Sequence, residues 1–134
     1  MNLKMSELLK QALEDLRELE QDPDYQIHMK GWHHVREDKC LVCLGGAYLA
    51  CRVMDKAKVH IFDLGDLNTD VQRFLKTLDW LRRGDIYMAY RVFHNSNCIP
   101  DWCRSVNVTH YEDSKADWHR DMNFVLELLE RNGE

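Results

Sequence analysis

The stretch Asp38-Lys-Cys-Leu-Val-Cys-Leu-Gly-Gly-Ala-Tyr-Leu-Ala-Cys-Arg-Val-Met54 decides how this chain is read. It holds Cys40, Cys43 and Cys51 and the adjacent glycines Gly45 and Gly46, and no charge falls between Leu41 and Cys51. In a chain with 31% charged residues, that contrast marks a segment the fold buries. A helix apolar on every side belongs at the centre of a small domain, so residues 39–54 are expected to form a central buried helix. Asp38 is its expected N-cap, with a carboxylate suited to the positive helix end. Each glycine inside a helix costs about 1 kcal/mol against alanine. Close approach of another helix backbone is the expected compensation.

Amphipathic helices are expected on either side. Met5, Leu8, Leu9, Ala12, Leu13, Leu16 and Leu19 recur at helical spacing over Ser6 to Gln21, and Asp22-Pro23-Asp24 ends the run. Residues 25–37 read as a connector. Thr69 caps a helix from Asp70 to about Arg83, with Val71, Phe74, Leu75, Leu78 and Leu81 as its stripe. Gly84 stops it, and Asp85 caps a shorter helix, Ile86 to Phe93. Ser114 or Asp113 caps the last helix, whose face is Trp118, Met122, Val125, Leu126 and Leu129. The segments V-H-I-F (59–62) and V-N-V-T-H (106–110) would at most pair as a two-stranded ribbon. The expected fold is therefore mainly α: one globular domain over residues 1–134, with about five helices around the central one.

The formal charge of −5 and the scatter of the basic residues argue against a nucleic-acid surface. No run approaches the ~20 apolar residues a membrane span needs, and the opening M-N-L-K-M-S-E-L-L-K lacks a secretory apolar core. A cytoplasmic location is expected, with the cysteines mostly reduced and no membrane partner.

Cys40 and Cys43 form a C-x-x-C, the spacing with which two thiolates clamp one zinc ion; Cys98 and Cys103, or His33 and His34, would complete the site. The apolar flanks Leu41, Val42 and Leu44 favour buried thiols with no cofactor. A thiol in the first turn of a helix would also have a lowered pKa, but the strand that a thioredoxin arrangement needs is not expected here. The histidines show no H-x-x-x-H pair, and no nucleotide loop or nucleophile motif is present. The aromatic and polar residues of the irregular segments are the candidate contacts: Trp32, His33, His34, Trp102, His110 and Tyr111.

G-W-H-H (31–34), C-L-V-C-L-G-G-A (40–47), the L-x-x-L-D-x-L-R-x-G-D-I-x-x-A joint (75–89) and Trp118-His119-Arg120-Asp121-Met122 together resemble a group of small proteins encoded by phages and bacterial mobile elements. Tyr48 is bulkier than that pattern would have. The group has no established activity, so the resemblance implies a setting and carries over no catalytic residue. Small acidic proteins in that setting often bind and redirect a host protein, defence systems included. The expected function is a non-enzymatic accessory protein of this kind, in the host cytoplasm; self-association is left open. A small-ligand or nucleotide-binding protein or enzyme, with its pocket at the N-terminus of the central helix, is the alternative, and a zinc-stabilised interaction module is another.

Overall fold

Leu8, Leu9, Leu13, Leu16 and Leu19 repeat every three to four residues, so a helix through them presents one continuous apolar stripe. The computed structural model, which describes residues 3–56, 67–94 and 98–134, forms that helix as α1, Met5–Glu20, and buries the stripe completely. The Lys4 amide donates to the Glu7 carboxylate at 2.8 Å and so closes the first turn.

Three short strands follow where a connector and a helix were expected. β1 is Tyr25–Ile27, β2 is His33–Arg36 and β3 is Lys39–Val42. The sheet order is β1-β3-β2, with β1 parallel and β2 antiparallel to β3. Arg36 pairs with Lys39, so Glu37 and Asp38 form a two-residue hairpin loop. Glu37 takes φ 57°, the left-handed conformation such loops require at their first position.

The expected central helix over 39–54 is therefore corrected. Its first quarter is β3. Only Leu44–Tyr48 is α-helical (α2), and it continues as a π-helical turn over Leu49–Val53. The segment does occupy the interior: Cys40 and every residue from Val42 to Ala50 are buried. A buried apolar run fits a buried strand as well as a buried helix, and periodicity alone does not separate the two. The two-stranded ribbon becomes a three-stranded sheet made of other residues. Residues 106–110 form no strand, and the V-H-I-F segment lies outside the described residues.

The C-terminal half follows its stripes. α3 is Thr69–Arg82, capped by Asn68 rather than Thr69; α4 is Ile86–His94; α5 is Lys115–Arg131, capped by the Ser114 hydroxyl. Gly84, at φ 78°, turns the chain from α3 into α4. A 3-10 turn over Asp101–Ser105 packs on α4. The fold is mainly α, with five α-helices among the described residues, and α1, α2, α3 and α5 bury one shared core with the inner face of the sheet. No helix among the described residues is long and apolar enough to cross a membrane.

Candidate functional site: the outer face of the sheet

Side chains alternate across a strand, so each strand here has one buried and one open row. Tyr25 and Ile27, Cys40 and Val42, and His33 and Val35 share the inner face. Gln26, His34, Arg36, Lys39 and Leu41 share the outer one. The outer row and the hairpin loop shape a concavity of about 440 Å³, lined by Gln26, His28, Arg36, Glu37, Asp38, Lys39 and Leu41. Leu41 is half-buried at its floor, and the other six residues are exposed.

Its electrostatics are unusual at one place. Arg36 and Lys39 are cross-strand partners on the same face, where side chains start about 5 Å apart. Among the described residues, neither cation forms an ion pair, although Glu37 and Asp38 lie between them in sequence. Several cations elsewhere are engaged: Arg52 with Asp15 at 2.7 Å, Arg82 with Asp79 at 2.8 Å, Lys115 with Glu20 at 3.1 Å.

The sequence-predicted contacts lie on and just before β2, in the 3-10 turn and in the segment before α5. His33 and His34 fall on opposite faces of β2. His34 is half-buried on the outer face, whereas His33 has no exposed surface and packs edge-on to Tyr25 at 6.4 Å. His33 is thereby removed from any contact surface. Trp32 is half-buried, with its ring against Gly45 and its carbonyl against Gly46. Trp102 lies half-buried in the 3-10 turn, and its carbonyl accepts from the Ser105 hydroxyl at 3.1 Å. His110 is exposed. The Tyr111 hydroxyl donates to Glu20 at 2.8 Å.

Tyr111 belongs to a different cluster, which ties the end of α1 to the start of α5. His119 Nε2 lies 3.0 and 3.1 Å from the two Glu20 oxygens, and Lys115 Nζ 3.1 Å from one of them. Burial raises the Glu20 pKa, but the hydrogen bonds from His119, Tyr111 and Lys115 together hold it below the ordinary carboxylate range. Burial and the Glu20 carboxylate beside it push the Tyr111 phenol far up. Glu20 thus engages all three of its neighbours, while the other His119 nitrogen, Nδ1, is buried with no hydrogen-bond partner among the described residues.

The cysteines are also placed for structure. Cys43 is the N-cap of α2, where its sulfur accepts from the Gly46 amide at 3.3 Å. Burial raises it to about 11, so at neutral pH it is a thiol. The start of the central helix, where a ligand site was the alternative expectation, lies at Leu44 beside Trp32, with the Cys43 sulfur on the Gly46 amide. Cys103 is buried in the 3-10 turn and burial raises it to about 11 as well, while Cys98 is exposed. Among the described residues, Cys40, Cys43, Cys98 and Cys103 do not converge on one ion; the ligand atoms that lie within 4.8 Å of one another are those of Asp15, Glu18 and Cys51. Arg52 and Lys56 already hold the two carboxylates of that trio.

The outer-face residues Gln26, His28, Arg36, Lys39 and Leu41 were missed in the sequence reading. The alternation H-H-V-R and K-C-L-V around a two-residue turn was the signal for them, but Glu37-Asp38 is not a turn pair that announces a hairpin. No family model matches the chain, and no curated protein or solved structure is significantly similar to it.

Proposed function

We propose that this protein is a non-enzymatic, phage-type accessory protein that binds and modulates a host protein in the host cytoplasm, with the outer face of the sheet as its contact surface. One contrast carries the reading. The reactive side chains Cys43, Tyr111, His119 and Glu20 are committed to holding the fold, whereas the exposed polar side chains of β1, β2 and β3 converge on one concavity with an apolar floor. An open sheet face of this kind is an ordinary solvated surface in many small domains. What favours a contact role here is the uncompensated Arg36–Lys39 pair, which costs the free protein stability and gains a use only when something covers it. The setting comes from the resemblance to phage and mobile-element proteins.

The test is affinity capture from host cells with the tagged chain beside its Leu41→Glu variant, whose fold is checked by circular dichroism. A host protein retained by the parent, lost with Leu41→Glu, and then shown to bind as a purified pair supports the reading. Retention of no host protein above an unrelated acidic control overturns it.

A further inference from the structure

We infer that Arg36 and Lys39 form a carboxylate-binding pair, and that the segment this protein grips is an acidic stretch of a partner protein flanked by basic residues. The inference rests on the outer-face reading above and names the chemistry of what that face takes. Two cations opposite one another across a hairpin repel, and a protein keeps such a pair at a cost unless an anion bridges it. Arg36 supplies a planar fork that accommodates both oxygens of one carboxylate; Lys39 supplies a point charge beside it. Neither is drawn off by a carboxylate of this chain among the described residues. Gln26 and His28 add amide and imidazole groups along the same wall, and Leu41 offers an apolar floor for the stem of a glutamate or a neighbouring aliphatic side chain.

The choice of a protein carboxylate over a nucleic-acid phosphate comes from charge. Glu37 and Asp38 stand on the rim of the same concavity, and the chain as a whole carries −5. A polyphosphate backbone would meet repulsion at the rim and at long range. A protein segment of mixed sign meets complementarity at both places: its carboxylates on Arg36 and Lys39, its lysines or arginines on Glu37 and Asp38.

The full chain is titrated with a tetraglutamate peptide bearing a lysine at each end and followed by amide NMR, with an oligothymidylate and inorganic phosphate as separate arms. Peptide-induced shifts confined to His28, Arg36, Lys39 and Leu41 and weakened by salt are the expected result. Arg36→Gln/Lys39→Gln should lose about tenfold in affinity, while Lys76→Gln/Arg91→Gln, which removes the same charge elsewhere, leaves it unchanged. Equal losses in the two variants, or shifts spread over the surface, overturn the inference. Shifts of the same amides by oligothymidylate or phosphate at lower concentration than the peptide overturn the choice of carboxylate. A captured host protein that the Gln/Gln variant still holds at parental affinity defeats the carboxylate pair alone; absence of any host partner defeats the functional reading beneath it.

Discussion

The backbone carbonyl of Trp32 occupies the place where a Cβ on residue 46 would have to stand. The Trp32 ring lies in the same way against residue 45. The glycine pair is thus the seat of the loop that leads into β2, and the close approach it allows is by that loop and not by another helix. The two glycines differ in what they meet: a side chain can turn away, a peptide carbonyl cannot. Gly46→Ala is therefore expected to destabilise the protein by about 3 kcal/mol, and Gly45→Ala by roughly half as much. Combining Trp32→Ala with each change separates them. Loss of the ring should remove most of the added cost at position 45 and none of it at 46, as read by urea denaturation of the three single and two double variants. Equal coupling at both positions would contradict this assignment.

Glu20 sets the acid limb of stability. Its folded pKa lies below its unfolded value because His119, Tyr111 and Lys115 favour the charged form over the opposing effect of burial. The stabilisation is then fully present above the unfolded carboxylate pKa of 4.5 and is lost as pH falls through the lower folded value. Asp15 acts with the opposite sign. Burial raises its pKa despite the Arg52 bond at 2.7 Å, so its protonation favours the folded state as the solution turns acid. Glu20→Gln should lower stability at pH 7 by about 2 kcal/mol and flatten the decline below pH 4.5. Asp15→Asn should leave that decline in place and steepen it. Denaturation midpoints measured between neutrality and pH 3 in the three proteins check both signs.

How far the sequence carried the fold depended on which period each segment obeyed. The stripes through Leu8 to Leu19, Phe74 to Leu81 and Trp118 to Leu129 each specify a helix, because a strand would place half of those residues in water. The 38–54 run had no polar side to break the tie, so burial was legible and conformation was not. Its strand half becomes visible only through partners: Cys40 is paired with Tyr25 and Val35, and three- or four-residue strands are specified by neighbours more than by their own residues. The same gap hid the candidate site. His33 and His34 read as one pair in sequence, yet the period of two sends one inward and the other out. Tyr111 read as an irregular-segment contact because its partner, Glu20, is 91 residues away.

Thiol reactivity should divide the cysteines by burial. Cys43 is 1% exposed and raised to about 11, so at pH 8 only about one in a thousand molecules carries its thiolate, and that one is covered. Cys98 is exposed. An aromatic disulfide reagent added to the native protein should label Cys98 promptly, with Cys43 modified only at the rate of global unfolding. Peptide mapping of the labelled positions over time gives the order. Early modification of Cys43 would place it at the surface and undo the inside–outside division from which the contact surface was argued.

Lys39 offers a trade between stability and binding. In the free protein it faces Arg36 across the hairpin, and like charges so placed destabilise. Lys39→Glu turns the pair into an attractive one. The expected gain is about 0.5 kcal/mol, or roughly 2 °C in Tm for a domain of this size. The same change puts a negative charge where an incoming carboxylate must sit, so affinity for the acidic peptide should fall more than tenfold. A variant that melts higher and binds worse is the signature of a surface kept for function at the expense of the fold. If Lys39→Glu melts lower than the parent, then Arg36 and Lys39 do not repel in the folded protein, and the strongest reason for placing a ligand between them disappears.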